Sequence, residues 1–275
     1  MKPVLKYPGA KWNLAQWIIS HMPPHTTYLE PYFGSGAVFF NKPPSKVETI
    51  NDIDGNVVNL FRVIREKSQE LAALIEMTPW ARDEYCASYE KTGDSLEDAR
   101  RFLVRCWQAF GTRTDSKTGW RNDIGARKYI NMPDQWRKLP NRLLVIADRL
   151  KCAQIESQQA LEIIQRYRFN YVLIYADPPY PLNTRSGKMY ANEMTDEDHI
   201  ELLEALDKHP GPVLLSGYAC QLYDDRLPHW TRRTTKAHAE GGRVREEVLW
   251  INPVAAKTTS QLTIFDTMGY ERPGP

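Results

Sequence analysis

No stretch of the 275 residues stays apolar for the roughly 20 residues a membrane-spanning helix needs. Met1–Ala10 has no hydrophobic core of the kind that directs export, so a cytoplasmic protein without a membrane partner is expected. Cysteine is scarce. Cys86, Cys106, Cys152 and Cys220 are scattered with no C-x-x-C pair, which argues against a zinc site or a disulfide framework. Four reduced thiols packing as small hydrophobes are expected instead, with no metal. No internal repeat is visible. A formal net charge of +2 gives no general pull toward nucleic acid.

The distribution of that charge says more. Between Arg100 and Lys151 lie thirteen basic residues and four acids, a net +9, so the rest of the chain is acidic on balance. Such a run is often a plain solvated face. This one also carries Trp107, Trp120 and Trp136, side chains suited to stacking or wedging at bases.

Hydrophobic patterning divides the chain. Thr27–Glu30, Val47–Asn51, Ala153–Glu156, Tyr171–Ala176, Pro212–Ser216 and Val248–Ile251 read as short strands rich in β-branched and aromatic residues. Helical spacing covers Asn13 to His21, Ser157 to Tyr167 and Thr195 to Asp207, the last opened by Thr195 as cap. Strands alternating with helices predict an α/β fold with a mostly parallel sheet. Between them, Val57–Arg65, Leu71–Met77, Arg82–Glu90, Leu96–Phe110 and Gln135–Leu150 read as helices, interrupted by a polar loop from Gly111 to Pro133. The expected organisation is a discontinuous catalytic domain (1–55 and 152–255), a mainly helical insert (56–151) and a flexible tail (256–275).

Asp177-Pro178-Pro179-Tyr180 follows the apolar run Tyr171–Ala176, and open α/β sheets place their sites at the carboxyl ends of strands. The motif suits methylation of a poor nucleophile, the exocyclic N6 amine of adenine, whose lone pair is delocalised into the ring. The Asp177 carboxylate and the Pro178 carbonyl can each accept one N–H and stabilise the positive charge that grows on nitrogen. Pro178 and Pro179 preorganise both acceptors. Tyr180 offers a π-face to a base taken out of the duplex stack. No metal is needed.

Glu30-Pro31-Tyr32-Phe33-Gly34-Ser35-Gly36 also joins a strand to a helix, which begins near Val38. Its glycines permit close approach of a bound ligand, and the absent third glycine argues against a nicotinamide cofactor. Asp52, near the end of the next strand, can accept both ribose hydroxyls of an adenosine moiety. Asp54 is the alternative acid, or a cap for the following helix.

Taken together, Tyr7-Pro8-Gly9-Ala10-Lys11, Phe33-Gly34-Ser35-Gly36, Asn51-Asp52 and Asp177-Pro178-Pro179-Tyr180 resemble the Dam-like D12-class DNA adenine-N6 methyltransferases. In that group cofactor motifs precede the target-recognition insert and the catalytic tetrapeptide follows it, and here the resemblance runs from Leu5 to about Pro253. It implies a Rossmann-like S-adenosylmethionine-dependent sheet, with double-stranded DNA as substrate. It places Tyr7 near the cofactor adenine, Lys11 near cofactor or DNA, and Ser157 and Gln158 beside the adenine. With them, Glu30, Pro31, Phe33, Gly34, Ser35, Gly36, Asp52 and Asp177 make up the expected cofactor site. This chain has Tyr7 where the family commonly has tryptophan and Ala10 where it has a second glycine.

The loop Gly111–Asn122 holds Arg113, Thr114, Lys117, Trp120, Arg121 and Asn122, residue types that read base edges, and the resemblance implies a hairpin entering the major groove. The plainer reading is a surface loop. Arg232, Arg233, Lys236, Arg243 and Arg245 form a second basic stretch able to hold phosphates. Ser216-Gly217-Tyr218 and Glu247-Val248-Leu249-Trp250 resemble later family motifs. In the tail, Gln261, Leu262, Ile264 and Phe265 of Gln261–Phe265 resemble the peptide that docks on the bacterial replication sliding clamp; the alternative is a strand on the protein's own sheet. A monomer is expected. The same chemistry would serve RNA adenine or a protein glutamine, although relatives of the latter kind carry Asn at the position of Asp177. A third reading is an inactive DNA- or clamp-binding protein, against which the intact motifs weigh.

Overall fold

The computed structural model of the chain describes residues 1–122, 131–185, 187–238 and 244–258. The first part runs α1 (Ala15–Ile19), β1 (Thr27–Glu30), α2 (Ala37–Asn41) and β2 (Val47–Asn51). A helical stretch follows: α3 (Gly55–Glu66), α4 (Ser68–Met77), α5 (Arg82–Ala87), α6 (Ser95–Gln108), α7 (Met132–Arg137) and α8 (Leu139–Lys151). The chain then returns to alternation with β3 (Ala153–Glu156), α9 (Ala160–Arg166), β4 (Val172–Ala176), α10 (Asp196–Asp207) and β5 (Val213–Tyr218). It ends in α11 (Gln221–Arg226), β6 (Thr231–His238) and β7 (Val244–Ile251).

The strands form a seven-stranded sheet in the order β3-β2-β1-β4-β5-β7-β6. β1, β2, β3, β4 and β5 run parallel, while β7 is antiparallel to both β5 and β6. This is the mostly parallel, Rossmann-like α/β sheet that the alternation of strands and helices leads one to expect. Chain order reverses between β1 and β4, and at such a switch point the loops leaving adjacent strands diverge and open a crevice.

Alternation along each strand supplies two cores. Tyr28, Ile50, Leu173, Tyr175, Leu214 and Leu249 face one side, where they share a continuous apolar cluster with Phe39, Phe61, Leu71, Leu103, Trp107 and Leu143 of the helices. Leu29, Ile174, Val213, Leu215, Val248 and Trp250 face the other, against Ile163, Leu202, Leu206 and Tyr223. Each such buried side chain contributes roughly 1.5–3 kcal/mol. Helix α3 shows how the sequence makes this packing: Val57, Leu60, Phe61 and Ile64 repeat at helical spacing on its buried face. Asp54 caps it by accepting the Asn56 amide at 2.9 Å.

Arg232, Arg233 and Lys236 of the second basic stretch lie on strand β6, at the sheet edge, and Arg245 on β7. Three expectations need correction. Gln135–Leu150 is two helices, because Pro140 in the first turn of α8 lacks the N–H a continuous helix would use. Residues 253–258 are helical and Ala255 is buried, so 256–258 are not part of a flexible tail. Cys86 and Cys152 are exposed rather than packed. Helix α11 was not foreseen. Residues 259–275, with the Gln261–Phe265 peptide, lie outside the described residues, as does Arg243. Among the described residues no helix is long and apolar enough to cross a membrane.

Candidate active site

The loop after β1 is braced from the neighbouring strand. Asp52, just past β2, accepts the Gly34 amide on Oδ2 at 2.7 Å and the Asp54 amide on Oδ1 at 2.9 Å. Burial raises the Asp52 carboxyl, those amides pull it back, and the net position is about 6. Asn51 ties three strand ends together: its amide group donates to Pro31 O at 2.9 Å and Gln158 O at 3.1 Å, and its Oδ1 accepts the Gln158 amide at 2.8 Å. The Trp12 indole donates to Ser35 Oγ at 3.2 Å. Gly34 and Gly36 have different reasons to be glycine. At Gly34 (φ +49°) an added Cβ would sit 3.2 Å from the Tyr7 ring; at Gly36 (φ +67°) it would sit 2.4 Å from Phe33 and 2.6 Å from Phe40. Internal packing, rather than ligand approach, dictates Gly36.

At the end of β4 the tetrapeptide meets three distant segments. Lys11 Nζ lies 3.1 Å from Asp177 Oδ1 and 3.5 Å from Glu247 Oε1, and donates to Gly9 O at 2.7 Å. The Tyr180 hydroxyl faces Asp177 Oδ1 at 3.1 Å and donates to Glu247 Oε1. The Tyr180 ring sits under Lys11 (4.7 Å to its centroid) and edge-on to Tyr218 at 4.7 Å. It is only 7% exposed, so it is no open stacking platform in this conformation. Burial raises Asp177, the Lys11 charge pulls it back, and the carboxyl settles at about 6. Burial alone would lower Lys11, but Asp177 and Glu247 hold its ammonium above the ordinary lysine range. Glu30, at the end of β1, is pushed up by burial, eased by the hydrogen bond from Tyr28, and comes to about 8.

Between these two assemblies opens a cleft of about 530 Å³, at the β1/β4 switch point. Of the residues singled out in sequence, Tyr7, Lys11, Glu30, Pro31, Phe33, Gly34, Ser35, Asp52, Gln158, Asp177 and Pro179 line it. Gly36, Ser157, Pro178 and Tyr180 do not. Both acids weighed after β2 belong to the wall, since Asp54 lines the cleft as well as capping α3. Sequence reasoning missed Tyr190, in a loop without a motif, whose ring lies 6.0 Å from that of Tyr7. It gave Glu247 no definite role, and nothing in a strand sequence signals a partner that lies 67 residues away.

The basic, aromatic segment is largely spent on the protein itself. Trp107 and Trp136 are core residues whose indoles donate to Val4 O and Thr78 O, both at 2.8 Å. Arg149 is buried against Glu48, and Arg100 bonds Glu84 and Glu97. Trp120 donates to Gln108 Oε1 at 3.2 Å and carries Arg82 over its ring. The loop itself, closed by the antiparallel bridge Ala109↔Trp120, remains outward, as do Arg137, Lys138 and Lys151 on the helices. Arg113, Lys117 and Asn122 are exposed, Arg113 being paired with Asp115, and Arg121 is half-buried. Thr114 turns inward: its amide donates to Met189 O at 2.9 Å and its Oγ1 accepts the Ala191 amide at 3.2 Å. Ala191 and Tyr190 belong to the cleft wall. From there Glu193 binds Arg185, and Arg185 donates to Tyr180 O at 2.8 Å.

A parallel sheet with a cleft at its switch point, an acid–glycine loop on one side and an Asp-Pro-Pro-Tyr turn on the other, is the framework of an amino-methyltransferase. The family model for D12 class N6 adenine-specific DNA methyltransferases matches residues 7–238, and the chain belongs to that family. Its activity is methylation of DNA adenine. The chain is 32% identical over 274 residues to the type II methyltransferase M1.LlaDCHI of Lactococcus lactis subsp. cremoris, covering 90% of this chain and 95% of that one. It is 27% identical over 218 residues to the DNA adenine methylase of Vibrio cholerae serotype O1, covering 74% and 75%. A solved structure titled putative methyltransferase yhhF from Escherichia coli aligns over 87% of this chain and 80% of its own, at 11% identity and a TM-score of 0.35.

Proposed function

We propose that the cleft holds S-adenosylmethionine on the β1–β2 side and receives an adenine, taken out of duplex DNA, on the Asp177 side. When bound, the cofactor supplies a methyl group on a sulfonium whose thioether is a good leaving group. The residues present suit it. Asp54 Oδ2 is buried in the cleft wall with no hydrogen-bond partner among the described residues, an acceptor that a ligand hydroxyl would satisfy. Tyr7 and Phe33 supply apolar surface, and Asp52 and Glu30 supply further acceptors.

The observation that carries the reading is the state of Asp177. Its Oδ1 is engaged by Lys11 and faces Tyr180, and Asp177 lines the cleft, which leaves Oδ2 as the acceptor available to a ligand there. An N6 amine docked there donates one N–H to Oδ2, and the charge that builds on nitrogen meets a fixed carboxylate. The adenine ring would stack only after Lys11 or Tyr218 yields a face of Tyr180. The loop Gly111–Asn122 and the exposed Arg233 and Lys236 of β6 are proposed DNA contacts, with 56–151 as a recognition domain between the two parts (1–55 and 152–255) of a catalytic domain. The monomeric state and docking of Gln261–Phe265 on a sliding clamp are further proposals; a pull-down of purified clamp by a Gln261–Phe265 peptide tests the latter, and no binding ends it. The proposed chemistry is tested by Asp177→Ala. Labelled methyl transfer to duplex DNA should fall by at least about 100-fold while calorimetric cofactor binding persists; retained transfer would end the assignment.

A further inference from the structure

We propose that Glu247 is a positioning residue for methyl transfer: from β7 it takes the Tyr180 hydroxyl and shares Lys11, so that Asp177 presents one free, correctly turned carboxylate oxygen to the target amine. The role rests on the methyltransferase reading of the cleft. Glu247 is 3% exposed and followed by Val248, Leu249 and Trp250, all buried. A carboxylate among apolar residues is costly unless it is paired, and here both partners of Glu247 Oε1, Lys11 and Tyr180, also touch Asp177.

A phenol has one hydrogen to donate, and Tyr180 has two carboxylates within reach, of which Glu247 is the nearer. An ammonium has three, and Lys11 has three acceptors: Gly9 O, Asp177 Oδ1 and Glu247 Oε1. With Glu247 in place both donors are saturated and Asp177 is held through Oδ1 alone. Without it, the Tyr180 hydroxyl and the freed ammonium hydrogen both turn to Asp177, whose second oxygen is then drawn away from the cleft. The Tyr180 ring, fixed between Lys11 and Tyr218, would lose its orientation at the same time. Register supports this placement, since Glu247 pairs with Tyr218 at the end of the β5–β7 ladder.

The charge of Glu247 also acts on Asp177, raising its carboxyl. The other groups facing this cluster are Lys11 from the first loop, Glu30 from β1, Tyr175 from β4, Tyr180 and Tyr190 from the loop after it, Tyr218 from β5 and Arg245 from β7.

The test uses the full-length enzyme at saturating cofactor and duplex DNA, between pH 5 and 9, with Glu247→Gln and Glu247→Ala. Gln keeps an acceptor for Tyr180 but loses the charge, so the acid limb of the kcat profile should move to lower pH with cofactor Kd within about twofold. Ala loses both, and kcat at pH 8 should drop roughly ten- to a hundredfold, the loss expected for a hydrogen bond to a charged group. An acid limb unmoved in Gln, or cofactor affinity falling in step with kcat in both variants, would overturn the proposal. A wild-type protein that methylates no DNA would instead sink the underlying reading.

Discussion

Lys11 lies 3.1 Å from Asp177, so the first loop of the chain closes onto the Asp-Pro-Pro-Tyr turn that follows β4. In the proposed role Asp177 accepts from the amine only when ionised, and with its carboxyl at about 6 the rate should fall as pH drops through that value. Lys11 lowers the Asp177 carboxyl. Lys11→Met should therefore move the acid limb to higher pH, opposite to Glu247→Gln. A kcat profile of both variants checks the pair of signs.

Glu30 makes a stability prediction. Its carboxyl sits at about 8 in the fold against an ordinary 4.5, so the folded state binds more protons than the unfolded state between those values. Its contribution is fully present below about 4.5 and lost as pH rises through about 8. Glu30→Gln removes the titration and still accepts from Tyr28. Its Tm relative to wild type should climb by a few degrees from pH 5 to pH 8.5 in thermal melts. A difference that does not change with pH would show that Glu30 stays ionised throughout.

The glycine loop should separate stability from ligand binding. Gly36→Ala forces a left-handed alanine, at a cost on the order of 1–3 kcal/mol, and drives its Cβ into Phe33 and Phe40. Gly34→Ala carries the same left-handed strain but its Cβ meets only Tyr7, at 3.2 Å, in the wall of the cleft. Urea unfolding should find Gly36→Ala the less stable of the two, while calorimetry should find Gly34→Ala folded but weakened for the cofactor.

How much of this was legible follows from what each signal depends on. Strands such as Thr27–Glu30 were legible because β-branched and aromatic residues cluster there, and the Asp177 turn because it follows one of them. Strand β6 was not, because Thr231–His238 has no apolar alternation on an edge that buries little. Trp107 and Trp136 were misjudged because composition shows an indole but not the Val4 and Thr78 carbonyls that receive it. Arg149 counted as basic surface, yet it neutralises the buried Glu48. Glu247 and Tyr190 act through contacts between distant segments, which no local pattern records.

That distinction yields a prediction for the insert. Trp107→Ala should destabilise the fold by about 3–5 kcal/mol in urea titrations, whereas Arg113→Ala should leave stability alone and weaken DNA binding. Equal stability losses would place Arg113 in the core network too.

Thr114 links the exposed loop to the cleft wall through Met189 and Ala191. Thr114→Val keeps the shape but removes the acceptor for Ala191. Melting should barely change, while kcat on the preferred site falls several-fold and discrimination between sites narrows. An unchanged ratio of rates on preferred and altered sites would contradict the link.

The most direct measurement is nucleoside mass spectrometry of unmethylated duplex DNA after incubation with the protein and labelled S-adenosylmethionine. The account predicts label in N6-methyladenine at one short sequence motif, absent with Asp177→Ala. Label in another nucleoside, or transfer that survives in Asp177→Ala, would contradict it.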